Sequence, residues 1–180
     1  MTWVQTISGR AVDLLDPKPE TISIEDIAHS LARICRYTGH TTEHYSVAQH
    51  SVLVARALSP ELALEGLMHD AVEAYVQDVS APLKWAMRES CSGYATSYDD
   101  IEARVDASIA KRFVLTRPLP QAVKVADLRM LATEADDLGF LAAAPRPWKL
   151  PHPRFPERIE CWPFERARRM FLGEYERLTR

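Results

Sequence analysis

Apolar residues return at three-and-four spacing along most of the chain beyond residue 22, and this periodicity commits the polypeptide to amphipathic helices that each bury one face. Ser23 can cap the first run, whose Ile24, Ile27, Ala28, Leu31, Ile34 and Cys35 form one stripe. Ser46 opens a second run, with Val47, His50, Val54 and Leu58 on a shared face, so His50 points where core residues point. Ser59-Pro60-Glu61, a cap followed by proline and an acid, starts a third helix carrying Leu64, Leu67, Met68, His69, Asp70 and Glu73. Gly66 lies one turn before His69; a glycine there costs on the order of 1 kcal/mol against alanine, a cost that close approach by another element would offset. Ser80-Ala81-Pro82 restarts a short helix through Trp85, and another amphipathic stretch runs from about Tyr98 to Phe113. Pro118 and Pro120 precede a strongly apolar helix, Val123 to Leu138, that contains Asp127. A final helix, from about Phe164 to Leu178, offers Ala167, Met170, Phe171, Tyr175 and Leu178 to the core.

Two segments depart from this pattern. Trp3 to Ile7 and Ala11 to Leu15 are short β-prone stretches around Ser8-Gly9, the signature of a small hairpin. Residues 139–161 contain Pro145, Pro147, Pro151, Pro153 and Pro156, too stiff for a flexible linker, and are expected to form an ordered flap. The expected architecture is therefore all-α, one domain over residues 1–180 with a hairpin extension at 1–20. A chain of 180 residues can bury roughly two-thirds of its unfolded surface without staples. A net charge of -3 argues against an overall affinity for nucleic-acid polymers or membranes. No apolar run approaches the ~20 residues of a membrane span, and Met1 to Arg10 has no basic region followed by an apolar one. Cys35, Cys91 and Cys161 are odd in number and lack CxxC spacing, which disfavours a disulfide framework or thiolate metal site and fits a reduced, cytoplasmic protein.

The chemistry concentrates where a charged cluster interrupts an apolar run, Leu67-Met68-His69-Asp70-Ala71-Val72-Glu73. With His50 upstream and Asp127 downstream, two imidazoles and two carboxylates from neighbouring helices can enclose one divalent cation. This mixed nitrogen and oxygen set suits Mn, Fe, Co, Ni or Zn better than calcium. Asp70 and Glu73, at i,i+3, would repel one another on one flank unless a cation compensates them; the alternative is that both face solvent.

The arrangement H…HD…D, with Glu three and Asp eight residues after the HD aspartate, resembles the HD-domain phosphohydrolases. The closer likeness is to bacterial 5'-deoxynucleotidases and phage dATP triphosphohydrolases. It rests on Val47-Ala48-Gln49-His50-Ser51, Met68-His69-Asp70-Ala71-Val72-Glu73-Ala74, Asp78-Val79-Ser80-Ala81-Pro82-Leu83-Lys84 and Val123-Lys124-Val125-Ala126-Asp127, within about residues 22 to 138. The resemblance implies an HD-type helical bundle with His50, His69, Asp70 and Asp127 as ligands of one divalent metal. Glu73 then positions or deprotonates the attacking water, and Asp78 contacts the deoxyribose side of a nucleotide. Arg36 and Tyr37 match an arginine and an aromatic residue near sugar and phosphate, although the family's aromatic is typically tryptophan and the spacing to His50 is one residue shorter. Lys84 and Lys124 match phosphate-contacting lysines of the triphosphohydrolase branch, and the family's tendency to form homodimers carries over as analogy.

The expected function is thus hydrolysis of the 5'-phosphate of a deoxynucleoside monophosphate. A dNTP triphosphohydrolase at the same site is the close alternative, and a catalytically idle nucleotide-binding module is the alternative of another class. His40 and His44 form a loose series with His50 but lack matching carboxylates, which favours loop roles. Trp148, Trp162 and Phe155 either stack a base over the pocket or anchor the flap.

Overall fold

The computed structural model describes residues 1–90 and 96–180; Cys91 lies outside the described residues. Strands β1 (Trp3–Gln5) and β2 (Ala11–Asp13) pair antiparallel, with Val4 opposite Val12. Gly9 takes a φ of 84° in the turn between them, a conformation that costs glycine little, so the hairpin forms where Ser8-Gly9 predicted it. Eight helices follow among the described residues: α1 (Ile24–Leu31), α2 (Val47–Arg56), α3 (Pro60–Leu67), α4 (Glu73–Val76), α5 (Ala81–Ser90), α6 (Thr96–Phe113), α7 (Gln121–Asp137) and α8 (Phe164–Leu178). None is long and apolar enough to cross a membrane.

Ser23 and Ser46 cap α1 and α2 through their side chains, accepting from the backbone N–H of Asp26 and Gln49. Ser59 makes no side-chain cap, and α3 begins instead on Pro60, whose fixed φ suits a first helical position. Helix α2 sits centrally, packed against α3, α7 and α8. The core joins Ile27 and Leu31 of α1, Val47 and Val52 of α2, Leu67 of α3, Ile109 of α6 and Phe171 of α8.

Two predicted helices are shorter than their apolar spacing implied. Helix α1 stops at Leu31, and Cys35 instead forms a bridge with Ser46, turning the chain toward α2. The third predicted helix breaks at the His-Asp pair. The Gly66 carbonyl, which a continuing helix would offer to the Asp70 N–H, lies 2.8 Å from His69 Nδ1. Bonds of i to i+3 type, Ala71 N–H to Met68 O and Glu73 N–H to Asp70 O, carry the chain through a tight turn into α4.

Gly66 also sits against α2. A Cβ there would lie 2.4 Å from Leu58 Cδ1 and 3.2 Å from Ala55 Cα, the close approach its sequence position implied. Leu58 can rotate away, whereas the Ala55 backbone can yield only if the helices separate. Gly66→Ala is therefore expected to lower unfolding stability by about 1–2 kcal/mol despite alanine's better helix propensity, as read from the urea midpoint. An unchanged or raised midpoint would show that α2 and α3 separate without cost.

Between α7 and α8 the proline-rich segment has no helix or strand and is strapped to the bundle by polar contacts. Gln49 on α2 donates to the Glu160 carbonyl at 2.7 Å and accepts from the Trp162 N–H at 2.8 Å. Thr133 and Asp137 on α7 accept from the N–H groups of Phe155 and Ile159, and Arg154 pairs with Asp136 and Asp137. Trp162 is buried and Phe155 packs on α7 under Arg129, so both anchor the flap, while Trp148 is half-exposed and stacks on Phe140.

Candidate metal centre

Helices α2 and α7 and the turn after α3 bring His50, His69 and Asp127 together, with Asp70 flanking the two histidines. Helix α2 delivers His50, whose side chain is fully buried; the turn after α3 delivers His69 and Asp70; α7 delivers Asp127. His50 Nε2 lies 3.3 Å from His69 Nε2, 3.2 Å from Asp127 Oδ1 and 3.6 Å from Asp70 Oδ2. His69 Nε2 lies 3.1 Å from Asp70 Oδ2 and 3.9 Å from Asp127 Oδ1. Ligands held ~2.1 Å from a common ion sit roughly 3.0 Å apart at right angles and 3.4 Å apart at tetrahedral angles. The spacings here, 3.1 to 3.9 Å, run from just above the first value to somewhat beyond the second, and His50, His69 and Asp127 form a group able to hold a metal ion.

The atoms behind the imidazoles decide which nitrogen faces the centre. His69 Nδ1 donates to the Gly66 carbonyl, and His50 Nδ1 donates to Glu134 Oε1 at 2.5 Å. Each neutral ring therefore turns an unprotonated Nε2 toward the other and toward two carboxylates, an arrangement that demands positive charge. Without a cation, protons supply it. Burial and Arg36 push the His50 pKa down, but Glu134 and Asp127 outweigh them and it lies above its ordinary value. At His69 burial is likewise overcome, by Asp70 and Asp127, and the pKa is raised well above normal. Asp127 resists burial through its hydrogen bonds to both histidines and lies far below the usual carboxylate range. Protons and a metal ion thus compete for the same lone pairs.

Glu134, absent from the residues singled out in the sequence, is the hub of this arrangement. It is fully buried on α7, seven residues beyond Asp127 on the same helical face. Its Oε2 accepts from Arg36 Nε at 3.2 Å, Arg36 Nη2 at 3.1 Å and the Tyr37 hydroxyl at 2.6 Å; its Oε1 accepts from the Tyr45 hydroxyl at 2.8 Å and from His50. Burial alone would raise its carboxyl, but Arg36 and His50 hold the pKa at about 2. Tyr37 and Thr38 take left-handed backbone, with φ of 54° and 52°. That conformation costs on the order of 1 kcal/mol at each residue, and the bonds of Arg36 and Tyr37 to Glu134 offset it.

Arg36, expected at a phosphate, is first of all the partner of Glu134, and its Nη1 stands 3.7 Å from Asp70 Oδ2. Glu73 presents a buried Oε2 with no hydrogen-bond partner among the described residues. Burial, and then the charges of Asp70 and Asp78, push its carboxyl well up. Asp78 is partly buried and is raised chiefly by burial, with Arg36 opposing. It also lines a cleft of about 820 Å³ between the hairpin and helices α1 and α4. Neither lysine forms an ion pair with the cluster among the described residues, although the charge of Lys84 reaches Asp78 and opposes the rise of its carboxyl. Lys84 is paired with Glu102 at 2.8 Å and lies over the Tyr98 ring, and Lys124 is exposed on the first turn of α7. His44 bonds Cys35 and the Ala32 carbonyl, and His40 is exposed, so neither joins the metal centre.

No family model matches the chain. It is 43% identical over 140 residues to the uncharacterized protein YfdR of Escherichia coli K12, covering 78% of this chain and 74% of that one. It is 40% identical over 151 residues to the uncharacterized protein RCAP_rcc00048 of Rhodobacter capsulatus, covering 79% and 76%.

Proposed function

We propose, from the premise that the chain belongs to the family containing YfdR and RCAP_rcc00048, that it is an HD-type, metal-dependent phosphohydrolase acting on the 5'-phosphate of a deoxynucleoside monophosphate. One observation carries the reading: two unprotonated Nε2 atoms converge with Asp70 and Asp127, each imidazole held in that tautomer by an acceptor behind it. This donor set fits one divalent Mn, Co, Fe, Ni or Zn ion, with His50, His69, Asp70 and Asp127 as its holders. Such an ion, when bound, supplies Lewis acidity toward a phosphoryl oxygen and acidifies water.

The remaining work falls to the protein's side chains. Glu73, three residues beyond Asp70 with a buried and unpartnered oxygen, would be ionised once a cation offsets the charge of Asp70, and in that form takes the proton of the water that attacks phosphorus as the bond to the sugar oxygen breaks. Arg36, held in place by Glu134, offers its outer nitrogen to the phosphate on the Asp70 side. Asp78, where the cleft meets the charged cluster, faces the deoxyribose, and Tyr37 supplies the aromatic wall beside Arg36.

The dNTP triphosphohydrolase remains the second reading, favoured by exposed Lys124 one turn before Asp127. It is placed second because Lys84 is already neutralised by Glu102. An idle nucleotide-binding module is third, since it gives no reason for the unpartnered Glu73 carboxyl. Incubation with dAMP and with dATP, in each of the five metals, separates the readings. Phosphate and deoxyadenosine from dAMP, abolished by a chelator, are expected. Tripolyphosphate from dATP alone would move the assignment to the second reading, and no product from either substrate would leave only the third.

A further inference from the structure

Three aromatic rings from separate parts of the chain meet beside Arg36. The centroid of the Tyr37 ring lies 4.5 Å from that of Phe140 and 6.4 Å from that of Trp148, and Phe140 and Trp148 stack at 5.6 Å. Tyr37, in left-handed backbone, turns its hydroxyl inward to Glu134. Gly139, with a φ of 82°, ends α7 in a turn that returns the Leu141 N–H to the Ala135 carbonyl and carries Phe140 onto the Tyr37 ring. Trp148 comes from the flap. Neither Tyr37 nor Phe140 joins the apolar clusters of the core, and Trp148 keeps 38% of its surface exposed. Among the described residues no hydrogen bond or ion pair involves residues 144–152, whereas the stretch from Pro153 to Trp162 is strapped to α2 and α7. Trp148 is therefore held by stacking, with ring surface left over that another flat ring can cover.

Its position indicates which ring. The Arg36 guanidinium lies 5.6 Å from the Tyr37 ring, so Arg36, Tyr37 and Trp148 follow one another outward in the order of phosphate, sugar and base along a nucleotide. Arg146 and Lys149, exposed and without an ion pair among the described residues, flank Trp148 in sequence and suit an anionic ligand. We propose that Phe140 and Trp148 form a platform on which the nucleobase of the substrate stacks, an assignment that rests on the deoxynucleotide reading of the site. Trp148 offers its open surface to the base, and Phe140 and Tyr37 back the indole. Because the Tyr37 hydroxyl is already given to Glu134, the platform grips by ring area, and purines are its tighter ligands.

The test uses the full chain with cobalt(II) and Glu73→Gln, which keeps ligands intact during calorimetric titration with dAMP, dCMP and deoxyribose 5-phosphate. In this background dAMP is expected to bind at least about 10-fold tighter than deoxyribose 5-phosphate, with dCMP between them. Adding Trp148→Ala is expected to weaken dAMP about 10-fold and to leave deoxyribose 5-phosphate within about 3-fold, whereas Trp148→Phe keeps most of the dAMP advantage. Should Trp148→Ala fail to fold, Trp148→Leu, which keeps bulk without a ring face, takes its place. An advantage of dAMP that survives loss of the indole, an equal loss for all three ligands, dCMP outranking dAMP, or no binding of dAMP would overturn the proposal. Hydrolysis of dAMP by the parent is followed separately. Base-dependent binding through Trp148 without cleavage would support the platform and remove the phosphohydrolase reading, and cleavage with binding indifferent to Trp148 would do the reverse.

Discussion

Glu73→Gln is expected to lower turnover at least about 100-fold while metal content and melting temperature stay near those of the parent. Glutamine preserves the shape of the side chain but cannot accept the proton of the attacking water. The native Glu73 lies buried beside two other carboxylates, Asp70 and Asp78, whose charges oppose its ionisation, so removing its charge places no strain on the fold. Steady-state kinetics with the nucleotide identified as substrate, together with metal analysis, make the check. Turnover within a few-fold of the parent would remove Glu73 from the reaction, whereas loss of metal along with turnover would make it part of the ion's environment instead.

Glu134→Gln is expected to cost more in stability than either Gly66→Ala or Glu73→Gln. Five hydrogen bonds end on this fully buried carboxylate, and its charge offsets Arg36 and fixes His50. Breaking a buried ion pair from one side typically costs about 3–5 kcal/mol, and loss of the acceptor behind a ligating histidine lowers metal affinity roughly 10- to 100-fold. The effect has a pH signature. The carboxyl falls from the ordinary 4.5 to about 2 on folding, so its stabilisation is fully present above pH 4.5 and is lost as pH drops toward 2. At about 1.4 kcal/mol per pH unit this amounts to roughly 3 kcal/mol. Urea unfolding of the metal-free chains should show the gap between parent and Glu134→Gln at full size near neutrality and closing between pH 4.5 and 2. A gap independent of pH over that range would mean that shape, not charge, makes Glu134 important.

The helices were legible because their signals are local. Ser23 and Ser46 cap where expected, and Pro118 and Pro120 precede α7 as they should. The hairpin turn needed only Ser8-Gly9. The break at residues 68–72 was not legible, because it depends on the His69 side chain taking the carbonyl that would have continued the helix. No periodicity records such a competition. That His50, His69 and Asp127 could share an ion was legible in the sequence, yet the tautomers that aim the two imidazoles were not, since Gly66 O and Glu134 become their partners only in the fold. Glu134 carried one signal, an acid seven residues after Asp127 on an otherwise apolar helix face. An acidic residue on a helix is ordinarily solvated, and this one is buried only because Arg36, Tyr37 and Tyr45 arrive from a distant part of the chain. For the same reason Lys84 could be named for a phosphate although Glu102, eighteen residues on, already holds it.

Equilibrium dialysis of the parent chain and of a His50→Ala, His69→Ala double variant against cobalt(II), followed by elemental analysis, addresses the shared cation most directly. One cobalt per parent chain and close to none in the folded double variant is the predicted result. No retained cobalt in the parent, or the same retention in both, would contradict a cation held between these imidazoles and carboxylates.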